Sequence, residues 1–244
     1  MTDVTQRTPL RLKELAPAEV AAALARDARL LVPVGTCEQH GPHLPLGCDT
    51  IVVERLVDDL SGELGILRAP TFEYGVNASH ERTFPGNATL RRKSLLRALN
   101  DLTEAWEDGG VKEFILVTAH GYEGHQEALS TVITKAARVQ VVDIYSAMFP
   151  DLTESEHAAL HGDEIDTSLL LYIAPELVHM DRAQDYFPPR SARAQRRSAL
   201  KVPGESPGSV GRPSLASVEK GKAIYKRIKR LVKDHVLLAP PDDE

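Results

Sequence analysis

Residues 34–50, VGTCEQHGPHLPLGCDT, constrain the fold of this 244-residue chain more than any other stretch. They follow the apolar run Leu30-Leu31-Val32-Pro33-Val34, which reads as a buried strand. Polar side chains that begin where such a strand ends lie where α/β folds place their chemistry. Between Glu38 and Asp49 the stretch sets one glutamate, two histidines and one aspartate. Glu38 and His40 point the same way along an extended chain, while Pro42 and Pro45 stiffen the connection that brings Asp49 back. A carboxylate, an imidazole and a second carboxylate converging on a point form a ligand set suited to zinc, manganese or iron. Taken alone, the stretch also reads as a polar loop merely rich in His and Glu.

The remaining pattern alternates helices and strands. A helix is expected over 16–29 with Pro17 at its first position, a second over 50–64, a strand over 66–72, and an amphipathic helix over 92–106 ended by Gly109-Gly110. The wholly apolar strand 114–118 follows, then a helix over 126–138, a strand over 139–144, a helix from Leu169 that Pro175 interrupts, and a last helix over 215–236. Residues 1–9 read as a loose arm and 180–213 as an irregular loop or subunit contact. The economical fold class is α/β: a single layered α/β/α domain over 1–244 around a mostly parallel sheet.

Composition excludes several function classes. A formal charge of -6 argues against a nucleic-acid or anionic-membrane surface, and the basic run 190–201 reads as a solvated loop. No stretch has signal-peptide or membrane-span character, so a cytoplasmic protein is expected. The two cysteines, Cys37 and Cys48, lack CxxC spacing; this favours packing or incidental roles over zinc ligation and a reduced compartment over disulfides. No G-x-S-x-G elbow supports Ser168 as a nucleophile, and no G-x-G-x-x-G follows the first strand.

Candidate groups recur at strand ends: Glu38, His40 and Asp49 after the first strand, His80 after the second, His120 after the third, and His161, Glu164 and Asp166 later. In a parallel sheet those ends share one edge, so groups scattered in sequence can meet. His43 reads as a supporting or surface residue, and His80 and His125 as loop hydrogen-bonders as readily as site residues.

GTCEQHGPHLPLGCDT resembles the signature loop of the creatininase family. YGVNASHERTFPGNATL is similar to its second loop, with Asn87 where Thr is common; HGDEIDTSLLLYIAPELVHMDRA to its histidine and acidic segment; and VGRPSLASVEKGKAIY to its C-terminal segment. The resemblance implies an α/β/α metal-dependent amidohydrolase, commonly a homohexamer, with two divalent cations per subunit. Carried over by position, Glu38 and His120 hold one metal, His40 the other, and Asp49 bridges them, with a hydroxide between the metals attacking a C–N amide of a small polar cyclic amide or formamide. His161 matches the catalytic histidine, and Asp166, where the family usually has Glu, would orient it. Asn77, His80 and Tyr122 are the candidate substrate contacts.

Two departures matter. Creatininase has a glutamate two residues after the metal histidine, whereas here that place is Tyr122 and Glu123 comes one later; the last ligand is Glu123 or, alternatively, Glu164. Creatininase closes tryptophans over creatinine, yet the only tryptophan here is Trp106, so creatinine is not the expected substrate. The alternatives are a hydrolase that opens an oxidised inositol ring, a maturase-type peptidase of the same family, or, from another class, a non-catalytic metal-binding assembly protein. No nucleic acid or membrane partner is expected.

Overall fold

The computed structural model describes residues 8–78, 83–155, 161–187 and 206–239. The chain forms two compact units. The first comprises residues 1–36, 53–77 and 89–143, and the second residues 37–52, 78–88 and 144–244.

The first unit holds a five-stranded sheet. Its strands are β1 (Leu10–Arg11), β2 (Arg29–Pro33), β3 (Leu67–Arg68), β4 (Glu113–Thr118) and β5 (Arg138–Asp143). They lie in the order β1-β3-β2-β4-β5, and every pairing is parallel. The connections are α1 (Pro17–Leu24), α2 (Cys48–Leu64), α3 (Arg92–Asp108) and α4 (Glu123–Ser130). Right-handed crossovers put α1, α3 and α4 on one face, because each carries the chain in the same direction across the sheet; α2 runs the other way and takes the opposite face. The core agrees. Leu30, Val32 and Val34 of the β2 segment and Phe114 and Leu116 of β4 pack with Ala23, Leu95, Leu99, Ala128 and Leu129 from α1, α3 and α4. The alternating residues Leu31, Ile115 and Val117 are buried on the other face, as are Leu56, Val57 and Leu60 of α2. Both faces are therefore dry, which is why β2 and β4 are continuous apolar runs. The connections leaving β2 and β4 depart to opposite faces, the arrangement that opens a crevice at strand carboxyl ends.

Several boundaries differ from the expectation. The strand expected over 66–72 contracts to Leu67–Arg68 with an isolated bridge at Phe72, because Pro70 has no N–H to donate. The helix expected over 126–138 is α4, which starts earlier and ends at Ser130. Beyond it, Glu107 of α3 accepts the backbone N–H groups of Lys135, Ala136 and Ala137, at 2.8, 2.6 and 2.8 Å, and holds that segment as a turn. Just after the expected loose arm lies β1, too short to show a period.

In the second unit α5 (Glu164–Ile173) is capped by Asp163, whose Oδ1 accepts the N–H of Ile165 at 2.9 Å, and α6 (Val218–Val232) by Ser217. The two helices approach so closely that a Cβ at Gly221 would collide with the carbonyl of Ser168. Within the irregular stretch expected over 180–213, residues 188–205 lie outside the described residues; the described remainder includes a bridge between Tyr186 and Gly211. Among the described residues no helix is long and apolar enough to cross a membrane.

Arg68, 2% exposed, is the least ordinary residue of the first unit. Its Nε donates to Asp58 Oδ1 at 2.8 Å and its Nη1 to the Ala69 carbonyl and Thr71 hydroxyl, at 2.9 and 3.1 Å, while Arg11 of β1 reaches Asp58 Oδ2 at 2.7 Å. Burial opposes ionisation of Asp58, but the guanidiniums of Arg11 and Arg68 outweigh it and hold the carboxyl below its ordinary value. Asp58→Asn should therefore cost about 2 kcal/mol at pH 7, less than breaking a fully buried pair because Arg11 is partly solvated. A carboxyl depressed in the folded state contributes stability above its unfolded pKa and loses it as pH falls through the folded value. The gap between wild type and variant in urea unfolding should thus be full near neutrality and close as the pH drops below about 4; a gap that stays constant into acid would exclude this assignment.

Candidate metal centre

The loop after β2 is locked at several points within the second unit. Glu38 N–H donates to the Leu46 carbonyl at 2.9 Å, Gln39 N–H to Asn87 Oδ1 at 2.6 Å, and Ala88 N–H to the Cys37 carbonyl at 3.1 Å. Asn87, the departure from the family pattern, thus holds the backbone beside Glu38. Gly41 turns the loop at φ +86°, and Cys48 opens α2 with Asp49 in its first turn.

His40 lies at the centre. Its Nδ1–H donates to the Glu38 carbonyl at 3.1 Å, fixing the ring so that Nε2 faces Asp49 Oδ1, also at 3.1 Å. Burial disfavours its charged form, yet Asp49, Asp166 and Glu38 more than compensate and raise it to about 9. Two donor triplets share this histidine: Glu38, His40 and His161, and His40, Cys48 and Asp49, with ligand atoms within 4.8 Å of one another in each. Burial and the charges of Asp166, Asp49, Glu38 and Asp163 keep the Cys48 thiol well above its ordinary value. His43 is different. Burial and the neighbouring His40 charge lower it to about 4, and its Nε2 lies 2.9 Å from Thr167 Oγ1, so it is a neutral support.

The His161 ring lies 4.3 Å from that of His40, centroid to centroid. Its Nε2 is 2.6 Å from the Gln39 carbonyl and 3.0 Å from Gln39 Nε2, which also donates to the Gly208 carbonyl at 3.1 Å. Backbone bonds between His161 and Val210 lay the 208–211 segment alongside. This strap depends on glycine: a Cβ on Gly208 would strike Gln39 Oε1, one on Gly162 the His40 carbonyl, and one on Gly211 the Asp163 side chain. Gly162, Gly208 and Gly211 have φ of +57°, +98° and +128°.

The other expected site residues are placed as follows. Asp166 accepts from the Tyr145 hydroxyl and, at 2.7 Å, from Gly162 N–H, so it grips the backbone next to His161. Burial raises the Asp166 carboxyl against the lowering by His40 and Tyr145. Tyr145 has no local sequence signal beyond its position just after β5. Glu164, the alternative ligand, accepts from the N–H groups of Glu154 and Ser155 and from Lys220 Nζ at 2.5 Å, which occupies its carboxylate with structural bonds.

In the first unit, His120 ends β4 and is buried. Its Nε2–H donates to the Val76 carbonyl at 3.0 Å, and its backbone is held by Thr118 and Gln126. His125 accepts Val76 N–H at 3.3 Å and lies 3.0 Å from Thr118 Oγ1, so it is a structural hydrogen-bonder. Asn77 is buried, with its N–H on Thr89 Oγ1 at 2.8 Å. Tyr122 is 40% exposed and Glu123 is exposed at the start of α4. Trp106, half-buried, packs on Phe114 at the edge of the sheet's core with centroids 6.5 Å apart. His80 lies outside the described residues.

The donor set fits a divalent cation. Imidazole and carboxylate are the ligands of zinc and manganese, and the buried carboxylates of Glu38 and Asp49 supply negative charge that a dication would balance once His40 gives up its proton.

Comparison with known proteins agrees. The chain is 26% identical over 238 residues to the 3-dehydro-scyllo-inosose hydrolase of Thermotoga maritima, covering 84% of this chain and 76% of that protein. It is 30% identical over 211 residues to the mycofactocin precursor peptide peptidase of Mycobacterium ulcerans, covering 80% and 79%. A solved mutant creatininase of the Zn-Zn type superposes with a TM-score of 0.79 at 25% identity over 96% of this chain and 99% of that one, so the layered α/β/α fold is shared. The family model Creatininase (creatinine amidohydrolase) matches residues 13–235, and with nearly the whole chain matched, this protein belongs to the creatininase family.

Proposed function

We propose that this chain is an amidohydrolase that uses two divalent cations per subunit to hydrolyse a C–N amide bond in a small polar substrate, a cyclic amide or a formamide. The observation that carries the reading is the buried donor set Glu38, His40 and Asp49, with His161 against His40. Burying such groups is costly and is not needed to fold a sheet whose core is apolar. That cost also disfavours the non-catalytic assembly reading. The Zn-Zn form of a related creatininase supports two cations. Trp106, packed on Phe114 against the core, supports a substrate other than creatinine.

When bound, divalent cations polarise a carbonyl and make water nucleophilic at neutral pH. The chain's own residues do the rest. His40, held through Nδ1, presents Nε2; Asp49, with two oxygens, suits a bridging role; Glu38 adds a third donor; His120 is carried as a ligand on the resemblance alone. His161, half-buried and held against Gln39, moves a proton to the departing nitrogen. Asp166 and Tyr145 position it through the Gly162 backbone. Asn77, Tyr122 and Glu123 are the remaining candidates for substrate contact or for a final ligand, and a homo-oligomer is the expected assembly.

A second reading rests on the relatives: a peptidase at 30% identity and an inosose hydrolase at 26% make a peptide amide or an oxidised inositol ring the alternative substrates. A panel of lactams, formamides, short peptides and inososes separates them, and turnover confined to peptides or inososes would replace the small-amide reading.

Two variants test the roles. His161→Ala should lower kcat about 10²–10⁴-fold while metal content and Tm persist; unchanged turnover would remove His161 from the mechanism. Asp49→Ala should empty both positions in an elemental analysis of the purified protein, and two cations retained per chain would rule out the bridge.

A further inference from the structure

We propose that Cys48 is a sulfur donor of the metal centre, seated with His40 and Asp49, and that it biases the centre towards thiophilic cations such as zinc over manganese. This rests on the metal reading above and adds to it the preferred ion.

Cys48 Sγ, a His40 ring nitrogen and an Asp49 oxygen lie mutually within 4.8 Å, with the three residues 0%, 2% and 1% exposed. The thiol is in no disulfide, and it makes no hydrogen bond among the described residues. A buried cysteine that serves only as a small hydrophobe sits among apolar groups. Cys48 instead stands beside the polar ligand atoms of His40 and Asp49. Cys37 provides an internal contrast: it is half-buried, its Sγ lies 3.5 Å from the Gly86 carbonyl, and it belongs to no donor group among the described residues. The sequence favoured packing roles for both cysteines because CxxC spacing is missing, but here the soft donor has hard partners from the same loop and helix start.

Coordination asks little of the backbone. Zinc–sulfur and zinc–nitrogen or –oxygen distances of about 2.3 and about 2.0–2.2 Å place donor atoms roughly 3.5 Å apart, so rotation about the Cys48 side chain has at most about 1.3 Å to close. One proton leaves to solvent as the sulfur binds. Thiolate ligation selects zinc over manganese because the latter prefers oxygen donors.

The test uses the full chain freed of metal and reloaded with Co²⁺. Wild type and Cys37→Ser should show a near-ultraviolet thiolate-to-cobalt charge-transfer band; Cys48→Ser and Cys48→Ala should bind Co²⁺ without it, and Cys48→Ser should lose roughly ten- to hundredfold of the zinc-over-manganese preference. If these variants do not fold, X-ray absorption at the zinc edge of the wild type should show a sulfur scatterer at about 2.3 Å. Cobalt bound with no such band, a band that survives Cys48→Ala, or a zinc shell without sulfur would overturn the proposal and leave the dimetal reading standing. Failure of the chain to take up any divalent cation would overturn both.

Discussion

The electrostatic pair of His40 and Asp49 is the interaction on which the rest of the second unit depends. A lone buried carboxylate would be expelled or protonated, and a lone buried imidazolium would be neutral. Together, and with Glu38 and Asp166 close by, they keep a charged cluster out of water at the start of α2. The loop is correspondingly rigid: its amides are spent on Leu46 and Asn87, and the His40 ring is fixed by the carbonyl two residues earlier. Ligand-type side chains are thereby ordered before any ligand arrives, which is how a site avoids the entropy of assembling them.

A second constraint is steric. The strap 208–211 lies against Gln39, His161 and Asp163 only because Gly208 and Gly211 offer hydrogen where any other residue would place a carbon, and Gly162 does the same beneath His40. Close backbone approach lets the Gln39 side chain reach the strap's carbonyl while it lines the imidazole of His161. Thr167 and His43 extend this packing into α5 with a neutral contact where a charge would be repelled by His40.

Much of this was legible in the chain. The apolar runs at Leu30 and Phe114, the Gly109-Gly110 stop and the polar residues after strands gave the parallel sheet and the 34–50 loop, because burial on both faces writes itself into composition. The family followed from motifs. What was illegible depended on distant partners. Nothing near Glu107 says that it accepts three amides of the 135–137 turn and shortens a helix, and nothing near Glu164 says that Lys220 claims it. Tyr145 and Asp166 meet across a gap that no local period encodes, so the sequence pointed to Asp166 but not to its grip on Tyr145 and on the backbone beside His161. β1 was missed because two residues carry no alternation.

That short strand has a bearing on the life of the chain outside its site. Parallel sheets end in rows of unpaired amides, and β3 would present such a row if nothing lay beside it. β1 covers it with two residues, held by Ser61 at Leu10 and by the Asp58 carboxylate at Arg11. The strand is too brief to template a neighbour, and an arginine stands on its outer end. The short strand thus guards the sheet against self-association through that edge, and proteolysis that removed it would leave β3 as an adhesive edge.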